Sequence, residues 1–347
     1  MIIDKSFCMS SFLAFRYIVK ENVQFAQGLV HQVYHQRPIS EKIFVNSADE
    51  IDVAINNIFH LVSNEKLGIL LSGGMDSAIL ASYLPKGTDA YTFRFMNGKY
   101  QTDELLRAEY YAKHYNLHLH YVDIDWNVIN ASIPAVMKTK GCPVHSIEPQ
   151  IYYATQLAKQ DGITMMIVGD GADYVFGGMD GLLSKDWSFE DYYKRCIYIE
   201  PSQVLNDPTD IHEIFENYRI GKNSIDFLRF YNEVITDESY SSYENAFTAA
   251  DMPYIDPYER LALSAPLDLS RIRSGESKYL IRELFSKKYP IPVPPKLPMP
   301  RPVDFYLRDW KGPQRPEFKK DIDIDAFSGN QKWLLFCLEL FLNHLPC

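Results

Sequence analysis

The chain has little cysteine and a deficit of positive charge. Its five cysteines (Cys8, Cys142, Cys196, Cys337 and Cys347) form no CxxC pair, and their number is odd. That excludes a disulfide frame or a zinc site and leaves core or surface thiols of a reducing compartment. The nine histidines contain no HExxH pattern; His118 and His120 alternate on one face of an expected strand and read as structural rather than as metal ligands. Lys and Arg total 35 against 45 acidic residues, a net charge of −10. No surplus exists for a broad nucleic-acid surface, although a small basic pocket for phosphates remains compatible with it. No apolar run reaches the ~18 residues of a membrane span. Asp4, Lys5 and Arg16 interrupt the N-terminal apolar residues, so no signal-peptide core forms. The expected protein is cytoplasmic, with neither membrane nor nucleic acid as partner.

Hydrophobic residues make up 46% of the 347 positions, enough for two domains or one large one. Residues 1–46 give weak signals. Ser47 to Leu61 reads as a helix, with Ser47 as N-cap and Glu50 as its capping-box partner. An α/β rhythm follows. Leu67–Leu71 is a short all-apolar run, as in a parallel strand buried on both faces. A glycine turn leads to a helix from about Ser77 to Leu84. Strands are expected at Ala90–Phe95, His118–Ile124 and Thr164–Val168, and helices at Asp103–His114 and from Pro149 to about Gln160. This alternation implies a parallel sheet with right-handed crossovers. Beyond Leu182 the pattern turns mostly helical, with further helices at Ser277–Lys288 and Trp333–His344. Seven prolines between Pro290 and Pro302 predict an extended ordered loop, a lid in preference to a partner-binding motif. The divisions expected are 1–46, of unclear structure; 47–182, an α/β core; and 183–347, a mostly helical acceptor-site and lid region.

Ser72-Gly73-Gly74-Met75-Asp76-Ser77 lies between a buried strand and a helix start, where open α/β sheets bind ligands. Gly73 and Gly74 allow close backbone approach to a phosphate. The helix start offers unpaired N–H groups and partial positive charge, and Ser72 and Ser77 add hydroxyls. Asp76 repels phosphate and makes sense only with Mg²⁺ between them. The lysine of a Walker GxxxxGKS/T loop is missing, so γ-phosphate transfer is not the expected chemistry.

This loop resembles the pyrophosphate loop (PP-loop) of the N-type ATP pyrophosphatases. Gly169-Asp170-Gly171-Ala172-Asp173-Tyr174-Val175-Phe176-Gly177-Gly178 is similar to the GEGADELFGG signature of the asparagine synthetase family. Glu276-Ser277-Lys278-Tyr279-Leu280-Ile281-Arg282-Glu283 is similar to its EKYLLREA segment, and Pro295-Lys296 to Trp310 more weakly to its PK…P…WLR region. The resemblance implies a PP-loop ATP pyrophosphatase-like fold, with ATP and Mg²⁺ as cofactors. It implies an AMP-forming reaction that adenylates a substrate carboxylate, releases pyrophosphate and passes the acyl group to an amine. Ser72, Gly73, Gly74, Asp76 and Ser77 would hold pyrophosphate. Asp76 and Asp173 would ligate the metal, and Leu71, Gly169 and Asp170 would border the nucleotide. Lys278 would be catalytic, stabilising charge on the phosphates and the acyl centre.

Three departures qualify this. Position 2 is Ile2 instead of a catalytic cysteine, and the stretch before the loop is too short for a glutaminase domain. The amine is therefore expected from free ammonia, a separate glutaminase or an amine-bearing substrate, with a separate glutaminase or a carrier protein as candidate partners. Ala249-Ala250-Asp251-Met252-Pro253-Tyr254-Ile255-Asp256 keeps only half of the family's EARVPFLD segment, which removes the grounds for aspartate as substrate. Tyr174 replaces a glutamate. The alternatives are a degenerate nucleotide-binding partner subunit and a tRNA-modifying or sulfur-transferring relative. The latter should show a basic surface or paired cysteines, and neither is present in the sequence.

Overall fold

The computed structural model describes residues 2–98, 101–296 and 301–345. The chain opens with α1 (Lys5–Phe15), whose N-cap Asp4 accepts the Phe7 N–H at 2.8 Å. Sequence reading left this stretch without structure because the helix is apolar on nearly every side and shows no amphipathic period. Phe12, Leu13 and Ala14 are fully buried, so it is core. In α2 (Ala48–Leu61) Ser47 caps as expected, accepting the Glu50 N–H, but the Glu50 carboxylate reaches the Asn46 N–H and not that of Ser47.

The α/β unit follows in the expected order: β1 (Leu67–Leu70), α3 (Met75–Ala81), β2 (Asp89–Phe95), α4 (Thr102–His114) and β3 (His118–Ile124). Next come α5 (Trp126–Lys140), which the sequence did not announce, α6 (Glu148–Gln160), with Pro149 in its first turn, and β4 (Met165–Ile167). The short α7 (Gly171–Val175) leads into the helical half, where α8 (Thr236–Ala249) is followed by β5 (Tyr254–Ile255), α9 (Tyr279–Lys288) and α10 (Gly329–Asn343).

The five strands form one parallel sheet in the order β5-β4-β1-β2-β3. β5 comes from beyond residue 182 and pairs Ile255 with Ile167 of β4, so the sheet draws on both sides of that expected boundary. From β1 the chain moves outward to β2 and β3, then returns to the other flank of β1 with β4. The reversal leaves a crevice beyond the carboxyl ends of β1 and β4. Those ends carry Ser72–Gly74 and Val168–Asp170.

Each face of the sheet has its own core. Ile69, Ala90 and Ile167 meet α2, α3 and α9 through Ile55, Ile79 and Phe285. Val122, Ile124 and Val168 belong to a larger cluster that includes α1, α5, α6 and α10 through Phe12, Ile133, Ile151 and Leu338. The pyramid of apolar contacts around α1 therefore ties the first residues to the last helix.

Phe12→Ala is expected to cost about 3–5 kcal/mol of unfolding free energy, read from denaturant midpoints at unchanged slope. A loss below ~1 kcal/mol would place α1 outside the core.

Candidate active site

Leu71 directly follows β1, with its side chain buried and its N–H donated to Tyr91 O at 2.9 Å. Gly74 is the N-cap of α3, so the helix starts two residues before the sequence reading placed it and Asp76 and Ser77 occupy its first turn. The Ser77 hydroxyl accepts the Ser72 N–H at 3.1 Å and lies 3.0 Å from the Ser72 hydroxyl. The Ser72 hydroxyl accepts the Gly74 N–H at 3.1 Å. Both hydroxyls thus close the loop on itself. At Gly73 a Cβ would lie 2.5 Å from the Glu104 carbonyl oxygen, so only glycine fits. The Gly73 N–H donates to the Glu104 carboxylate, whose pKa burial still raises. A carboxylate already sits on the anion-binding backbone of the loop.

The charges meet opposite the loop. Lys278 Nζ lies 2.5 Å from Asp76 Oδ2 and 2.9 Å from Asp173 Oδ1. Lys296 Nζ lies 2.7 Å from the same Asp173 oxygen and 2.7 Å from Gly178 O. Lys278 is 3% exposed, which rules out the ordinary role of a solvated helix lysine. It also precedes α9 as a non-glycine residue in the left-handed region, φ 53°, a costly conformation that turns its side chain inward. Burial works against the ammonium, but Asp76 and Asp173 outweigh it and hold Lys278 charged. The Asp173 carboxyl is partly buried; Lys278 and Lys296 overcome the resulting desolvation and hold its pKa below the usual range. Asp76 goes the other way, since burial raises it more than Lys278 lowers it. Asp76 Oδ1 is buried with no hydrogen-bond partner. Two converging carboxylates with an orphaned oxygen form a donor set suited to a hard divalent cation.

The supporting shell was not legible from spacing. Fully buried Tyr258 donates its hydroxyl to Asp76 O at 2.9 Å. Asp256 accepts the Gly171 N–H at 2.6 Å and the Tyr258 N–H at 3.0 Å, so it caps α7 and fixes the Asp170–Asp173 turn. Burial raises the pKa of Asp256 to about 7. Asp170 accepts the Ser239 hydroxyl at 2.7 Å, and its carboxyl is pushed well up, chiefly by burial. Tyr174, in place of the family glutamate, packs against Tyr231 and Tyr240.

Leu71, Ser72, Gly73, Gly74, Asp76, Ser77, Gly169, Asp170, Asp173 and Lys278 all line one cavity, joined by Glu104, Tyr243, Arg282 and Lys296. The structure thus brings together every position that sequence reading selected. The lid is described only in part, because residues 297–300 lie outside the described residues, as does Cys347. The four described cysteines are all buried. His118 and His120 converge with Asp89, at 3.5 and 2.7 Å, on the amino ends of β2 and β3, away from this cavity.

A model of the asparagine synthase family matches residues 54–234. The chain belongs to that family. The family match includes the loop and the Gly169–Gly178 turn but ends before Lys278, which the fold itself carries into the site. A Methanocaldococcus jannaschii protein provisionally named as a glutamine-hydrolysing asparagine synthetase is 26% identical over 150 residues, 40% of this chain and 26% of that protein. A second, from Acanthamoeba polyphaga mimivirus, named as a probable enzyme of the same kind, is 23% identical over 192 residues, 50% of this chain and 34% of that protein. The chain therefore spans between a quarter and a third of these relatives. Among solved structures, the U34-tRNA thiolase NcsA of Methanococcus maripaludis is similar over 86% of this chain and 80% of its own, with TM-score 0.32 and 12% identity. NMN synthetase of Francisella tularensis is similar over 74% and 100%, with TM-score 0.29 and 14% identity. Likenesses this distant carry no functional argument.

Gly178 gives the site a direct test. A Cβ there would lie 2.0 Å from Asp173 Oδ1 and 2.1 Å from Lys278 Cε. Gly178→Ala is expected to weaken binding of ATP with Mg²⁺ at least about tenfold, on the order of 1.4 kcal/mol, measured by calorimetry with the circular dichroism spectrum unchanged. Unaltered affinity would detach this cluster from the nucleotide.

Proposed function

We propose that the protein is an ATP-dependent amide-bond synthetase of the asparagine synthetase-like, AMP-forming type. One observation carries this reading: buried Lys278 bridges Asp76, in the glycine loop, and Asp173, in the second signature, at the crevice between β1 and β4. A loop with helix-start N–H groups and no Walker lysine suits the departing β- and γ-phosphates. In the proposed reaction a carboxylate oxygen of the substrate attacks the α-phosphorus, and the bond to the bridging β-oxygen breaks. Ser72, Gly73, Gly74 and Ser77 hold the pyrophosphate that leaves. The amine nitrogen then attacks the acyl carbon, the bond to the AMP oxygen breaks, and the nitrogen loses one proton.

Asp76 and Asp173 are the residues that would hold Mg²⁺, which when bound supplies neutralising charge between the carboxylates and the phosphates. Lys278 and Lys296 provide two cations that can turn from the carboxylates to the phosphates and to the acyl centre. Leu71, Gly169 and Asp170 border the nucleotide. Residues 47–182 form the nucleotide half of this scheme and 183–347 the acceptor and lid half. The amine comes from ammonia, a separate glutaminase or an amine-bearing substrate.

Two further facts support this reading over its alternatives. Sulfur transfer needs a reactive thiol, whereas burial pushes the Cys8, Cys142 and Cys196 thiols up to about 12. A decayed nucleotide-binding subunit has no reason to retain Asp76, Asp173 and a Lys278 in costly backbone geometry.

Purified protein with ATP, Mg²⁺ and a panel of carboxylates is expected to catalyse ATP–pyrophosphate exchange, and Asp76→Asn to abolish it while the chain, though less stable, stays folded by circular dichroism at the assay temperature. ATP binding without exchange on any carboxylate would overturn the synthetase reading. Full exchange in Asp76→Asn would remove Asp76 from the site.

A further inference from the structure

A second cleft of about 520 Å³ adjoins the nucleotide cavity and shares Val168, Asp170 and Tyr243 with it. Its volume falls within the range that holds ligands of drug size, roughly 300–1,000 Å³. Ammonia, on the order of a water's ~30 Å³ share of liquid volume, would leave such a space almost empty. The walls are aromatic. Tyr34 packs on Tyr240 at 5.2 Å between ring centroids, and Tyr254 stacks on Phe247 at 4.5 Å. The Tyr240 hydroxyl is buried without a hydrogen-bond partner.

Two opposite charges line this cleft without a hydrogen-bonded or ion-paired partner among the described residues. Glu259, on the same wall, is engaged by Arg37 at 3.3 Å and Lys42 at 3.9 Å. Glu244 and Arg260 differ: both are half-buried, and among the described residues neither side chain has a hydrogen bond or ion pair. Each is pushed away from its charged form: Glu244 upward by burial, which outweighs His35, and Arg260 downward by burial and Arg37, which outweigh Glu259. A half-buried charge gains most from a partner of opposite sign. Glu244 directly follows Tyr243 on α8, the helix residue common to both cavities. Tyrosine faces around a carboxylate suit an ammonium group, and a guanidinium suits a carboxylate.

We propose that this cleft binds a zwitterion, an amino acid with a bulky side chain or a short peptide, its ammonium group at Glu244 and the tyrosines and its carboxylate at Arg260. On the amide-forming reading above, this molecule is the acyl acceptor: it brings its own amine to the shared wall. The binding itself does not depend on that reading.

Calorimetric titration of the full chain tests it, with L-phenylalanine, phenethylamine (no carboxylate), 3-phenylpropanoate (no amine) and ammonium chloride as probes. L-phenylalanine is expected to bind at least about tenfold tighter than either single-charge analogue, and ammonium not to compete. Glu244→Gln should bring L-phenylalanine down to the level of 3-phenylpropanoate, and Arg260→Gln down to that of phenethylamine, with ATP affinity unchanged in both. No L-phenylalanine binding at millimolar concentration, equal binding of either analogue, or variants that keep full selectivity would overturn the inference. Pyrophosphate exchange without L-phenylalanine binding would sink this inference alone; the converse would sink only the synthetase reading.

Discussion

The ammonium of Lys278, held between the carboxylates of Asp76 and Asp173, is the interaction around which the structure is arranged. Three charges leave bulk water there, a large desolvation cost that only close pairing offsets. Removing one partner from such a group typically costs about 3–5 kcal/mol. The surrounding chain meets the geometric demand. Lys278 accepts left-handed backbone so that its side chain points inward, and Gly178 leaves the space that Lys278 Cε and Asp173 require. Tyr258 fixes the backbone of Asp76, and Asp256 fixes the turn that carries Asp173. The orphaned Asp76 oxygen marks where this balance is incomplete, and on the proposed reading a divalent cation would complete it.

The parts of the site that were legible in the sequence are the linear ones. Ser72–Ser77 and Gly169–Gly178 each come just after a strand and hold the turn and helix start within a few residues, so their local sequence points to their geometry. The sheet was readable for a similar reason: β1 and β4 are short apolar runs, β2 and β3 are short strands of mixed polarity, and helical periods separate them. β5 was not readable, because its two residues become a strand only by pairing with β4. α1 was hidden by being apolar all round, and α5 by lacking a clear polar face. Lys278 could be singled out only by resemblance, since 202 positions separate it from Asp76. Its burial, which decides that it is no surface lysine, is a property of tertiary packing.

The region that departs furthest from the family is also the one that builds the second cleft. Ala249 and Asp251 stand where the family carries a glutamate and an arginine, and Tyr174 stands where it carries a glutamate. Tyr174 packs on Tyr240, and Tyr240 packs on Tyr34 from the N-terminal segment. The change at Tyr174 thus exchanges charge for aromatic surface along one connected wall, while the residues proposed to hold phosphate and metal, across Asp170, are kept. On the proposed reading, kept signature residues on one side of Tyr243 and an altered lining on the other are what a change of acceptor with the same adenylation would produce.

The account rests on Lys278 and the paired aspartates facing a triphosphate. A structure determined with α,β-methylene-ATP and Mg²⁺ tests this directly. The account predicts the β- and γ-phosphates on the backbone of Ser72–Ser77, metal density between Asp76 and Asp173, and Lys278 Nζ moved from the carboxylates onto a phosphate oxygen. A nucleotide bound elsewhere, with Lys278 still bridging the two aspartates, would contradict it.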